Sequence, residues 1–397
     1  MHNQIRVSEP ALTALLLAAM GMPMMVFYAV GVLGPEIMWT LQLPVAALGW
    51  LTTATFGVAA AASLVAGPLV SRIGVRCSLL ALFVLVALSF GLIRMTSGFY
   101  GLLMALLVCG LAQALANPST NQAIAHWADP ERKAFLVGLK QSGVQLSALL
   151  AGALMPLLAG WFSWQDAFLF WVPVLIVLVL LGARMIPSDQ SDRPSRPISV
   201  IRPNRELILL ALVQLGVGLT LSSFMTYLGV FAAEMGVSPS SVGLMVMLFG
   251  VIGVLARTLL TPLARNWPDE SLMLGVLIVG ACVALSVMQL TTQAYHLPLW
   301  SAVTGIGATL VATNAIAMSM LLHDPGFGEV PRASGWLSAG FFTGFALGPP
   351  GFGALVATWG FTIALWGLVA CLLLALVAVV MLAGHRRRRA ELAPASG

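Results

Sequence analysis

Twelve apolar stretches, most about 20 residues or longer, recur along this 397-residue chain. A helix crossing the hydrocarbon core of a bilayer needs about that many. The stretches run over about 11–33, 46–69, 77–95, 99–121, 135–159, 165–186, 206–232, 241–262, 271–290, 298–322, 333–356 and 361–383. In lipid the backbone must satisfy its own hydrogen bonds, so each stretch is expected to be a helix. The predicted fold is an all-α integral membrane protein with twelve transmembrane helices. Only 8% of residues are charged, against about a quarter in a soluble domain, too few to build a surface that faces water. The first apolar run continues through Val32 without a small-residue cleavage site and is expected to be an uncleaved span.

The longest connector, "PSDQSDRPSRPISVIRPNR" over 187–205, separates six spans from six. It predicts an N-terminal bundle over 1–186, a solvated linker over 187–205, a second bundle over 206–384 and a basic tail over 385–397. With both termini on one side, sixteen of the nineteen basic residues fall on that side. Arg94 falls opposite, and Lys140 and Arg257 lie within spans. The positive-inside bias then makes both termini cytoplasmic. The absence of any N-x-S/T site and the short loops fit a bacterial inner membrane.

The halves repeat. "GVLGPE" ending at Glu36 matches "GVFAAE" ending at Glu234, and Trp161 matches Trp359, both at an offset of 198. Gly110, Asn117 and His126 match Gly307, Asn314 and His323 at 197, and "GPLVSR" from Gly67 matches "TPLARN" from Thr261 at 194. Two homologous six-helix bundles of equal orientation are expected, related by an axis along the membrane normal, as in rocker-type secondary transporters.

"GPLVSRIGVR", from Gly67 to Arg76 between spans 2 and 3, resembles the loop signature of the major facilitator superfamily. Gly67, Ser71, Arg72, Gly74 and Arg76 occupy its positions, and the resemblance extends over the chain through the twelve-span pattern. It implies the two-bundle fold of that superfamily, with a loop that gates the two halves. Ser71 stands where the signature carries an acid, so the inter-domain latch is weakened or supplied by another group such as Asp129 or Glu131. The proline–glycine signature of drug–proton antiporters is missing from span 5. In span 11, residues 340, 344 and 348 are small and share one helix face, which suits close packing.

The chain holds two lysines, Lys133 and Lys140. Lys140 in span 5 and Arg257 in span 8 lie where a charge costs about 3 kcal/mol even on the lenient insertion scale. No span offers a carboxylate at mid-depth to neutralise them. In the family resembled, spans 5 and 8 face each other, which implies two cations flanking one polar cavity and a site for an anion. The competing structural explanation is that Lys140 snorkels and Arg257 caps helix ends. Gln141, Phe27, Tyr28, Asn117, Tyr227 and Asn314 are the further substrate-binding candidates, with Thr226, Gln113, Gln145 and Gln214 as possible lining. Aromatic and amide groups there suit a small organic acid with an apolar body. Glu36 and Glu234, symmetric at the outer mouth, are candidates for gating or proton coupling.

These features point to a secondary transporter that moves a small solute, an organic anion such as a carboxylate, by alternating access, as proton symport or anion exchange. Export of drugs or other amphipathic compounds is the alternative, and a non-transporting receptor would need a signalling element beyond the "HRRRR" tail, which reads as a lipid-surface anchor. Five scattered histidines and four distant cysteines, without carboxylate pairs or metal-ligand spacing, give no support to an enzyme. No cofactor, metal or nucleic-acid partner is expected; membrane lipids are, and a monomer.

Overall fold

The computed structural model describes residues 9–127, 133–186, 203–328 and 330–392. Most of the expected linker, together with Asp129 and Glu131, lies outside the described residues. The helices are α1 (Glu9–Leu41), α2 (Val45–Ile73), α3 (Val75–Arg94), α4 (Phe99–Trp127), α5 (Lys133–Trp161), α6 (Trp164–Leu169), α7 (Val172–Met185), α8 (Arg205–Glu234), α9 (Pro239–Ala264), α10 (Glu270–Met288), α11 (Leu297–His323) and α12 (Val330–Leu392). Among the described residues no β-strand forms. The protein is an all-α, multi-pass integral membrane protein with twelve crossings.

Two features depart from one unbroken helix per span. The sixth span is split into α6 and α7 at Phe170–Trp171, just before Pro173, which has no N–H to continue the helix. Spans 11 and 12 run together as α12, which breaks at Gly360, where φ is 77° and only glycine is at ease. The junction of α2 and α3 has the same cause, with Gly74 at φ 85° and ψ 160°. Helices α8, α9 and α10 start on side-chain caps: Asn204 accepts from Leu207 N, Ser238 from Ser241 N and Asp269 from Ser271 N.

Close packing is achieved through glycine. Gly340, Gly344 and Gly348 of α12 all meet α8, where a Cβ on Gly340 would stand 2.8 Å from the Ala211 carbonyl oxygen. Between the halves, Gly31 of α1 meets Met225 of α8. A Cβ on Gly49 of α2 would lie 2.6 Å from the backbone of Pro349 and Pro350 in α12, and Gly152 of α5 abuts Gly243 of α9. All these inter-half approaches lie toward the ends of α1 and α8, on the face opposite the termini. Three hydrogen bonds reinforce them: Gly49 N donates to Tyr227 Oη (3.0 Å), Thr52 Oγ1 and Thr226 Oγ1 share a proton contact (2.9 Å), and Thr53 Oγ1 donates to Ala346 O (2.6 Å). Nearer the terminal face, a Cβ on Gly67 or Gly335 would meet nothing within 4 Å. The halves are sealed on the far face.

The tail read as a lipid-surface anchor also makes ion pairs within the protein. The helix continues to Leu392, and two of its four terminal arginines reach acids of the second half. Arg389 pairs with Glu206 (2.7 Å) and Asp324 (2.6 Å), and Arg386 with Asp269 (2.8 Å) and Asp324 (3.3 Å). Partial burial pushes the Asp324 carboxyl up, but the Gly326 amide and the two arginines outweigh it and hold the group below its ordinary value.

Candidate functional site

Lys140 sits on α5 about 10 Å from the helix start, at 1.5 Å per residue. It does not snorkel: its side chain is only 1% exposed. Its ammonium instead donates to three neutral oxygens of α4, Asn121 Oδ1 at 2.6 Å, Thr120 Oγ1 at 2.8 Å and Asn117 Oδ1 at 3.4 Å. These residues lie at i, i+3 and i+4 on one face of α4, so a single lysine can reach all of them. Gly21 and Gly143 let α1 and α5 approach closely one turn away; a Cβ on Gly21 would be 2.6 Å from the Gly143 carbonyl oxygen. That contact holds α5 in place.

Arg257 reaches the same strip from α9. Its Nη1 donates to the Gln141 carbonyl oxygen of α5 (2.7 Å), and its Nε to the Val311 carbonyl oxygen of α11 (3.1 Å). One guanidinium therefore ties the two halves together at mid-depth. Gln141 Nε2 donates to Asn117 Oδ1 (3.3 Å), the oxygen that also accepts from Lys140. Lys140, Asn117, Gln141 and Arg257 form one hydrogen-bonded chain across the boundary. Among the described residues neither cation has a carboxylate partner; the acids lie at helix ends or in connectors.

The two cations differ in access. Lys140 is enclosed, whereas Arg257 is half-buried and keeps N–H groups beyond its two described bonds. One turn along α5, Gln145 is 1% exposed and its Oε1 has no described partner. It packs on α9, because a Cβ on Gly253 would stand 2.7 Å from Gln145 Cγ. Tyr28 of α1 is within electrostatic reach of Arg257 and packs on Phe249 of α9. Phe27 lies in an aromatic cluster with Phe56 and Phe345, which extends to Phe341 and Phe342.

Other candidates fall elsewhere. Tyr227 belongs to the far-face seal, with its hydroxyl on Gly49 N and its ring against Phe352. Asn314 donates to Gln214 Oε1 (3.2 Å), and Gln214 to Thr313 O (3.4 Å), so this amide pair joins α8 to α11 within the second half. Glu36 is half-buried and Glu234 exposed at the far ends of α1 and α8, away from Lys140 and Arg257. In the loop signature, Ser71 Oγ donates to Gly67 O and accepts from Gln122 Nε2 of α4 (2.9 Å). Ser71 thus fastens α2 to α4 inside the first half. Arg76 donates to the Ala183 carbonyl at the end of α7, and Arg72 is exposed. Thr120 and Asn121 were not singled out from the sequence; the polar run "STNQ" at 119–122 inside an apolar span was the available signal.

The family model described as the Major Facilitator Superfamily matches residues 15–327 and 210–397. A crystal structure of a bacterial homolog to the human lysosomal transporter Spinster, in an inward-facing and occupied conformation, aligns with a TM-score of 0.73 at 16% identity. The alignment covers 94% of this chain and 96% of that one, and at that identity the likeness is one of fold. The hexuronate transporter of Bacillus subtilis (strain 168) is 22% identical over 121 residues, which span 30% of this chain and 29% of that protein.

Proposed function

The chain belongs to the major facilitator superfamily, and we propose that within it the chain carries a small organic anion across the membrane by alternating access. The observation that carries this reading is the chain Lys140–Asn117–Gln141–Arg257, two cations at the joint of the halves with no acid partner among the described residues. A charge so placed is costly and marks a substrate path. Arg257 keeps N–H groups beyond its two described bonds, which suit a carboxylate, Gln145 and Gln141 add amide groups beside it, and Lys140 adds a positive field from behind. The phenylalanines around Phe27 suit the apolar part of such a substrate. The partial likeness to a hexuronate transporter supports an acid of that kind, a carboxylate on a polyhydroxylated body.

Closure of the far face at Gly49, Thr52 and Thr53 and the link through Arg257 give the two halves a joint about which to rock. An anion that bridges Arg257 and the α5 amides would change how tightly the halves hold each other. That is the differential interaction a carrier needs. By the positive-inside bias the termini, and the face opposite the seal, are cytoplasmic. The test is uptake of labelled glucuronate, lactate and oxalate into proteoliposomes, with an uncharged sugar and a hydrophobic cation as controls. Saturable flux of at least one anion is expected. Flux of the hydrophobic cation alone would replace this reading with drug export.

A further inference from the structure

Lys140 has a surrounding that a fixed positive charge does not require. Three N–H donors meet three neutral oxygens, so the ammonium is fully satisfied. One of those oxygens belongs to a rotor. The Thr120 hydroxyl also lies 2.6 Å from the Ala116 carbonyl oxygen and 3.1 Å from the Asn117 carbonyl oxygen. With an ammonium, Thr120 accepts from Nζ and sends its own proton to Ala116. With a neutral amine, the hydroxyl can turn and donate to the Nζ lone pair, while Asn121 and Asn117 still accept the two remaining N–H groups. The pocket is therefore satisfied in both protonation states of a lysine. An arginine there could use only one, since it does not give up its proton in proteins.

Charge around Lys140 is scarce on every helix packed against α5. Tyr28 on α1, Cys109 and Tyr100 on α4 and Arg257 on α9 are the titratable groups along the spans themselves. Glu9 and Glu36 lie at the ends of α1, His126 at the end of α4, and Asp166 on α6, where it pairs with Arg94. Lys133 begins α5. Among the described residues nothing at mid-depth offers a negative charge to stabilise the ammonium. Access exists on one side only by a short step, because Asn121, which touches Nζ, is itself exposed.

We infer that Lys140 is the reversible proton-binding site of the carrier, and that a proton there and an anion at Arg257 favour each other. The inference rests on the anion-site reading given above. In the step proposed, water at the open face delivers a proton, a new N–H bond forms on Nζ, and Thr120 turns its hydroxyl toward Ala116. The arriving anion supplies the countercharge that the pocket lacks. On release the N–H bond breaks, the proton returns to water and the hydroxyl turns back. Proton and anion then travel together, and the absence of a mid-span carboxylate ceases to be a puzzle. Linkage makes the effect reciprocal: as the lysine loses its proton with rising pH, anion affinity falls, by up to tenfold per pH unit for one coupled proton.

The two-lysine composition gives a direct test. In the full-length K133R protein, isotope-labelled lysine yields a single side-chain NMR signal, that of Lys140. The expected result is a change of charge state within the pH range over which the protein stays folded, moved to higher pH by glucuronate. A signal fixed as ammonium across that range would overturn the inference and leave the anion site standing. A titration that ignores every anion found to bind would overturn the coupling. Failure of wild type to bind any of glucuronate, lactate or oxalate would remove the anion site and this inference with it. As a second measurement, calorimetry at several pH values should show proton uptake with anion binding by wild type. Whatever affinity K140R keeps should be independent of pH, and proton uptake persisting in K140R would overturn the assignment.

Discussion

Tyr227→Phe should open the far face. The substitution removes one hydroxyl and leaves the ring against Phe352, so its effect falls on the bond from Gly49 N to Tyr227 Oη at 3.0 Å. Such a bond contributes about 0.5–1.5 kcal/mol net, which shifts a two-state equilibrium roughly 2- to 12-fold. Adding Thr53→Val removes the bond to the Ala346 carbonyl oxygen at 2.6 Å. Together the two losses amount to about 1–3 kcal/mol, or roughly 5- to 150-fold. Gly353→Ala should act in the same direction, because a Cβ there would fall on the Tyr227 hydroxyl. Spin labels at Trp50 and Glu234, both exposed at the far face on opposite halves, would report the opening by pulsed electron resonance. The exposed native Cys77 would first be replaced. The longer-distance population should grow from wild type to Y227F and again to Y227F/T53V. Identical distance distributions in all three proteins would refute the reasoning that these bonds close the far face.

Arg257→Ala removes the N–H groups proposed to hold the anion, so anion flux should fall by at least about 100-fold, from two charge-assisted bonds to a carboxylate at about 1.5–3 kcal/mol each. Detergent-extracted protein should still elute as a folded species, and unchanged flux would exclude Arg257 from the site. Arg389→Ala leaves buried Glu206 with His385 as its one described ion-pair partner, and the melting temperature at neutral pH should drop by a few degrees. Asp324 is held below its ordinary value, so its share of that stability is present above about pH 4 and is lost as pH falls through the lowered value. The melting difference between wild type and R389A should therefore shrink on acidification. Gly74→Ala places a Cβ at φ 85° and ψ 160°, which costs about 1–3 kcal/mol and should lower thermal stability while leaving anion affinity intact.

Span count, the packing face of Gly340, Gly344 and Gly348 and the exceptional placement of Lys140 and Arg257 within spans are legible in the sequence for one reason. Lipid permits few exceptions to apolar helix, so each exception stands out. The partners are less legible. Thr120 and Asn121 are small polar residues of a kind that helices tolerate, and only the fold shows that they converge on one ammonium. Tyr227 illustrates a finer limit. Counted from Glu36 and Glu234 at the offset of 198, Tyr28 corresponds to Thr226, and Tyr227 is one residue further on. One residue turns a helical side chain by about 100°, which carries Tyr227 to Gly49 instead of toward Arg257. The arginine staple of the tail joins residues some 180 positions apart in the chain, beyond the reach of any local pattern.

The most direct test of the anion site is a thermal-shift comparison of wild type and Arg257→Ala. The panel is glucuronate, lactate, oxalate, an uncharged sugar and a hydrophobic cation. A ligand at 100 times its dissociation constant adds about 2.7 kcal/mol of stability, which is well within reach of the method. The prediction is stabilisation of wild type confined to one or more of the anions and absent from the variant. Equal stabilisation of both proteins by the anion, or stabilisation of wild type by the hydrophobic cation alone, would contradict it.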